Sequence, residues 1–75
     1  MLTKNEIFEE AHRYNCSTSV IPTGRHELLL IQSKNKKHHI KLLFFNWKWY
    51  ASVDEKVERK SVDDTWIHAQ LKALA

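Results

Sequence analysis

The segment KLLFFNWKWY, residues 41–50, places seven large apolar or aromatic side chains within ten consecutive positions. Neighbouring side chains of an extended strand point to opposite faces of a sheet, so this segment makes both faces apolar. A chain of 75 residues forms one domain and has few elements with which to cover a sheet. The segment therefore predicts a small sheet with an apolar face that the chain has difficulty covering by itself.

A helix is predicted at each end of the chain. Thr3 and Glu6 have the spacing of a capping box, and apolar side chains then recur at helical intervals, which predicts a helix from about residue 4 to about residue 14. Ser61 is the predicted N-cap of a second helix, because two aspartates follow it where the helix dipole favours negative charge. The apolar stripe of the second helix consists of Ile67, Leu71 and Leu74.

Extended segments fill the region between the helices. Strands are predicted near residues 17–21 and 25–33, joined by a tight turn at Pro22, Thr23 and Gly24, where the glycine can adopt a positive φ. A polar loop that contains KNKK separates these strands from a third strand, HHIKLLFF.

The end of the third strand has two interpretations. Either Asn46 and Trp47 form a two-residue turn into a fourth strand, KWYASV, although Trp is a poor turn residue, or the chain stays extended to Val53 and then turns. We favour the first, because the second needs an unusually long strand for so small a sheet. The predicted fold is α+β, with an N-terminal helix, a three- to four-stranded antiparallel sheet and a C-terminal helix.

The predicted strands are apolar on both faces. Alternation places Leu43 and Phe45 opposite to Leu42 and Phe44, and it separates neighbouring apolar residues of the second strand in the same way. An antiparallel sheet with one solvated face should instead alternate apolar with polar residues. Three arrangements would cover the surplus surface: one helix on each face, a second copy of the chain, or a different molecule.

The first functional hypothesis is a protein-binding regulator or inhibitor that uses this apolar surface. Such patches are uncommon in monomers unless they bind something. A small inhibitor encoded by a phage or mobile element is a protein of this kind, and a homodimer is compatible with this hypothesis and with the next. The candidate protein-binding residues are Leu43, Phe45, Leu29 and Ile31.

The alternative hypothesis is a nucleic-acid-binding module. The net charge of +3 permits a polyanionic partner without requiring one. A lysine-rich hairpin loop would contact phosphates and aromatic rings would stack on bases, although lysines also solvate loops and protect sheet edges. The candidate phosphate-binding residues are Lys34, Lys36, Lys37, Lys41 and Arg25, and the candidate stacking residues are Trp47 and Tyr50.

The residues indicate no enzyme, cofactor, metal or small-molecule substrate. His38 and His39 are adjacent and would point to opposite faces of a strand, so they cannot share a metal ion. Cys16 is the single cysteine, which excludes an intrachain disulfide, fits a reducing compartment and predicts a cytoplasmic protein. No apolar run is longer than that of Leu42–Phe45, which is too short to span a bilayer.

Overall fold

The computed structural model describes the backbone of residues 1–75 and the side chains of residues 1–56 and 61–75. Its elements in chain order are α1 (Lys4–Arg13), β1 (Ser17–Thr23), β2 (His26–Gln32), β3 (His39–Phe45), β4 (Lys48–Val53), β5 (Lys56–Val62) and α2 (Asp64–Leu74). The strands form one sheet in the order β1-β2-β3-β4-β5, and every neighbouring pair is antiparallel. This arrangement confirms the predicted α+β layout of helix, antiparallel sheet and helix.

The sheet has one strand more than the upper limit of the prediction. The chain turns at Asn46 and Trp47 into β4, as favoured from the sequence, and turns again at Asp54 and Glu55 into β5. These four residues have φ between 50° and 67°, the geometry of two-residue type I′ hairpins. The sequence of β5, KVERKSV, contains only two apolar residues and so lacks a clear strand pattern. An edge strand tolerates such charged composition.

The first hairpin turns later than predicted. Gly24 and Arg25 form its two-residue turn, and Thr23 pairs with His26 across it. Gly24 has a φ of 63°, and glycine with positive φ at the first turn position is typical of a type II′ turn. Pro22 therefore lies in β1 and not in the turn. An edge strand accommodates proline because one side of its backbone has no partner strand.

Both helices begin at defined N-caps. Thr3 accepts the Glu6 N–H at 3.2 Å, and the Glu6 carboxylate accepts the Thr3 N–H at 3.1 Å, which confirms the predicted capping box. The N-cap of α2 is Asp63, whose carboxylate accepts the Trp66 N–H at 2.8 Å. The prediction of Ser61 as this N-cap is wrong, because β5 extends past it and delays the start of the helix.

Both helices pack on the same face of the sheet. Ile7 and Ala11 of α1 are buried in one core with Ile67 and Leu71 of α2. The sheet residues of this core all point to the same face of the sheet. Full burial of each large aliphatic side chain contributes about 1.5–3 kcal/mol. The arrangement with one helix on each face is therefore excluded. The sheet residues of the core are Leu29, Ile31, Ile40, Leu42, Trp49 and Ala51.

The sheet has two ends that carry different loops. We call the end with Gly24–Arg25 and Asn46–Trp47 the turn end, and the end with residues 33–38 and Asp54–Glu55 the loop end. The last strand finishes at the turn end, so α2 begins there and runs towards the loop end. The first strand begins at the loop end, which places the end of α1 there as well. The two helices thus run in the same direction.

Residues 1–3, which we call the strap, join the starts of both helices to the sheet. The Leu2 N–H donates to the Asp64 carboxylate at 2.9 Å, and the Leu2 carbonyl accepts the Trp49 indole N–H at 2.9 Å. The bond from Leu2 is the main cause that holds the pKa of Asp64 below its usual range. The strap therefore has a defined position at the turn end.

Leu29→Ala should destabilise the protein more than Leu28→Ala, because the two residues lie on opposite faces of β2. Leu29 is 1% exposed, so its truncation should lower the free energy of unfolding by about 2–5 kcal/mol. Leu28 lies half-buried on the face without helices, so the same truncation should cost about 1 kcal/mol or less. Urea denaturation followed by circular dichroism measures both losses. Equal losses would contradict the packing of both helices on one face.

Candidate binding surfaces

The sheet face opposite to the helices carries a connected apolar surface, which we call the open face. Leu28 pairs directly with Leu43, and Leu43 pairs with Tyr50 on its other side. These three side chains are half-buried, whereas Ile21 is 38% and Phe45 is 49% exposed. The open face consists of Ile21, Leu28, Leu30, Leu43, Phe45 and Tyr50.

Two of the four candidate protein-binding residues lie on the open face. Leu43 and Phe45 are there, whereas Leu29 and Ile31 are 1% and 0% exposed in the core beneath the helices. The prediction that all four lie on one surface is wrong, because Leu43 of β3 pairs with Leu28 of β2 and not with Leu29. Alternation in the sequence separates the two faces of each strand. Which face of β2 continues which face of β3 depends on the strand register, and alternation alone does not set the register.

Basic side chains border the open face. His26 and Lys48 occupy it at the turn end, and His39 and Lys41 occupy it towards the loop end. Among the described strand residues of this face there is no aspartate or glutamate. Glu55 reaches Lys41 from the turn between β4 and β5, with 3.0 Å between Nζ and Oε1, and this hydrogen bond is the main cause that lowers the pKa of Glu55. The open face thus has an apolar centre and a mostly basic border.

The candidate nucleic-acid-binding residues are divided between the two ends of the sheet. Arg25 and Trp47 lie at the turn end, and Lys41 and Tyr50 lie on the open face between the ends. A seven-residue strand at about 3.3 Å per residue separates the two ends by roughly 20 Å. The predicted residues therefore do not form one basic surface next to aromatic rings. The residues at the loop end are Lys34, Lys36 and Lys37.

Carboxylates contact both histidines of the loop end. Asp54 accepts the His39 N–H at 2.9 Å, and its other carboxylate oxygen lies 2.9 Å from Nδ1 of His38. The hydrogen bond with His38 is the main cause that lowers the pKa of Asp54, and the bond from the His39 N–H adds to it. These contacts place a carboxylate next to the lysine-rich loop.

A groove lies at the turn end on the helix-covered face, beyond the starts of the helices, and we call it the aromatic groove. Its volume is about 670 Å³, within the range of about 300–1,000 Å³ for small-molecule sites. The Phe44 ring centroid lies 5.0 Å from that of Trp49 and 6.3 Å from that of Trp47. The apolar lining comprises Met1, Leu2, Leu29, Phe44, Trp47 and Trp49, and the polar and charged lining comprises Thr3, Lys4, Arg25, His26 and Glu27.

Trp47 occupies a position that is unfavourable for a tryptophan. It is 80% exposed and has a φ of 63°, a conformation that costs a residue with a Cβ about 1–2 kcal/mol. Glycine after Asn46 would suit this turn best. Backbone strain retained at an exposed aromatic residue is a signal of function. The occurrence of Trp in a predicted two-residue turn was the sequence signal for this site, and the groove beside it was not predicted.

Comparison of the chain with protein-family models, with curated proteins and with solved structures finds no match. No helix in the described part of the chain is long and apolar enough to cross a membrane. Among the described residues there is also no group of three or more His, Cys, Asp or Glu side chains that could hold a metal ion. The candidate functional sites are therefore the open face and the aromatic groove.

Replacement of Trp47 should measure the strain in its turn. Trp47→Gly and Trp47→Ala remove the same indole ring, but only glycine adopts a positive φ without a steric penalty. Trp47→Gly should therefore be more stable than Trp47→Ala by about 1 kcal/mol. Thermal and urea unfolding of the two variants give this difference. A glycine variant less stable than the alanine variant would contradict the turn geometry.

Asp54→Asn should reveal the carboxylate contacts of the loop end through their pH dependence. A lowered pKa in the folded state means that the carboxylate stabilises the fold above its unfolded pKa, about 3.9, and that this contribution is lost as the pH falls through the folded pKa. The advantage of the wild type over Asp54→Asn should thus be constant near pH 5 and shrink below about pH 4.

Urea unfolding of both proteins between pH 2.5 and 5.5 checks this expectation. Asparagine tolerates the positive φ of the turn, so the substitution keeps the backbone conformation. A stability difference that stays the same across the whole range would show that the carboxylate makes no charge-dependent contact.

Proposed function

We propose that this protein binds another protein through the open face and acts as a small, non-enzymatic regulator or inhibitor. The observation that carries the proposal is the packing of both helices on one face of the sheet. Ile21 and Phe45 remain exposed and three central side chains remain half-buried on the other face. Burying this surface against a partner would be favourable by about 25 cal/mol per Å² of apolar area.

The charges around the open face favour a partner with an apolar centre and an acidic border. Lys48 and His26 are exposed beside Phe45, and the described strand residues of this face include no acidic side chain. A second copy of the chain would bring Lys48 of both copies into one interface, where their like charges oppose association. Aspartates and glutamates around an apolar patch would instead pair with them. We therefore propose a different protein as the occupant.

A nucleic-acid partner has less support. The lysines of the loop end and the exposed ring of Trp47 lie at opposite ends of the sheet, whereas single-strand binders place aromatic rings beside a basic groove. At the loop end, His38, His39 and Lys41 already contact carboxylates of the chain itself.

We propose the cytoplasm as the place of this interaction. Cys16 is a free thiol, and unpaired cysteines are usual in reducing compartments. Burial raises the pKa of the Cys16 thiol, so its reactive thiolate form is disfavoured. This cysteine packs in the core and has no part in the proposed binding.

Phe45→Ser and Phe44→Ser form a matched pair that tests the open face. The two residues are neighbours with 49% and 37% exposure, but they lie on opposite faces of β3. Wild-type chain immobilised as bait should capture a protein from a lysate, and Phe45→Ser should weaken the purified complex about 10-fold or more because it removes the most exposed aromatic ring of the open face. Phe44→Ser should leave the affinity within about 2-fold of the wild type, because it lies outside the interface.

The salt dependence and the mass of the chain complete the test. Calorimetry of the purified pair at 50 and 500 mM salt should show an affinity change of about 10-fold or less, against about 10³-fold or more for contacts with many phosphates. Light scattering of the chain alone should give the monomer mass of 8.9 kDa at two concentrations. A dimer that Phe45→Ser dissociates, or a partner whose affinity ignores Phe45→Ser, would contradict the proposal.

A further inference from the structure

We propose that the aromatic groove is a second binding site, separate from the open face, for a small organic carboxylate with an aromatic body. Phe44 and Phe45 mark the separation, because adjacent residues of β3 point to opposite faces of the sheet. The Phe44 ring contacts Trp49 and Trp47, whereas the Phe45 ring contacts His26 on the open face. His26 borders both sites, because it contacts Phe45 and also lines the groove, so the sites are distinguished by variants of residues that belong to one site alone.

The walls of the groove suit an aromatic body. Trp47 stands edge-on to Phe44, with an angle of 89° between the ring planes, and Trp49 is tilted by 58° to the same ring. Phe44 is 37% and Trp47 is 80% exposed, so these two rings are accessible to a planar ligand, and contacts of this kind add to the gain from burial. The indole N–H of Trp49 is already bonded to the Leu2 carbonyl, and its ring, which is 5% exposed, forms an apolar floor of the groove.

The charges of the groove favour one carboxylate. Lys4 is paired with Glu27 at 3.1 Å, and these two charges offset each other. Arg25 lines the same groove and makes no ion pair among the described side chains. A guanidinium binds a carboxylate through two parallel hydrogen bonds. An anionic group at one end of the ligand would therefore be held by Arg25 while the body enters the groove.

The backbone around the groove favours a small molecule over a peptide segment. Extended peptides bind by adding a strand to an exposed sheet edge, where unpaired N–H and C=O groups are available. The strand residues that line this groove belong to β2, β3 and β4, and each of these strands is already paired on both sides. The groove thus offers side chains and no free backbone edge.

The conformation of Trp47 is the second indication of a ligand. The chain retains a large ring, 80% exposed, at a φ of 63°, where glycine would relieve the strain. The ring covers one side of the groove and would lose solvent exposure when a planar ligand packs against it. Strained and exposed residues of this kind are concentrated at binding sites.

The test uses 2-naphthoate as the probe and 2-naphthylmethanol as its uncharged counterpart. Titrations followed by ¹H–¹⁵N spectra report on the chain's three tryptophans separately. The indole signals of Trp47 and Trp49 should shift and saturate, and the signal of Trp66, which does not line the groove, should stay in place. The alcohol should bind about 10-fold more weakly, because it lacks the charge that Arg25 pairs with.

Variants assign the binding to the groove. Arg25→Gln should weaken 2-naphthoate about 10-fold and leave the alcohol unchanged, while Lys36→Gln, which removes an equal charge at the loop end, should change neither. Trp47→Gly should weaken both compounds, because it removes one wall of the groove. Phe45→Ser should leave both affinities unchanged, so loss of function at the open face and at the groove can be told apart.

The spectra of each variant without ligand show whether it is folded, and Arg25→Gln is an exposed substitution that leaves the core intact. Shifts that map to the open face, equal affinity for the acid and the alcohol, or titrations that do not saturate would overturn the proposal.

Discussion

The fold is organised by the burial of alternate side chains of the central strands, all on one face of the sheet, beneath both helices. Ile31, Ile40 and Leu42 are at most 1% exposed in this core. Because side chains alternate strictly along a strand, burying these residues commits their neighbours Leu30 and Leu43 to the other face. With both helices on one side, the described chain has no element left to cover that face. The open face is thus a direct consequence of how the core is built.

The same constraint produces the aromatic groove by a different route. Phe44 is on the same face of the sheet as the core residues, but it lies at the turn end, where α1 and α2 only begin. The strap of residues 1–3 covers part of this region through its bonds with Trp49 and Asp64, and the remaining space is the groove. The open face is uncovered because no helix packs there, whereas the groove is uncovered because the helices start too late to reach it.

The turn end contains both well-defined hydrogen bonds and a residue with a strained backbone. Defined hydrogen bonds fix the strap and the start of α2, while Trp47 keeps a strained backbone and an exposed ring. Proteins commonly give up stability at sites where binding requires a particular side chain. The loop end has a turn with the same positive φ at Asp54 and Glu55, and there it places carboxylates against nearby basic groups. One kind of hairpin therefore serves different purposes at the two ends of the sheet.

Features that depend on nearby residues could be predicted from the sequence. The capping box at Thr3, the positive φ of Gly24 and the turn at Asn46 follow from interactions within a few positions of the chain. The apolar composition of both faces of β3 was also present in the local pattern. The charged strand β5 could not be predicted from its own residues, because an edge strand is specified by pairing with its neighbour more than by its own composition.

Which residues share a surface follows from the pairing of the strands and the packing of the helices, and not from local sequence. Register placed Leu28, and not Leu29, beside Leu43, and it also separated the lysines of the loop end from Trp47. A shift of one residue would reverse the faces of a strand without changing its sequence pattern, so the packing of the helices, which buries one set of residues, selects the register. The helices thereby determined both the core and the surface left open for binding.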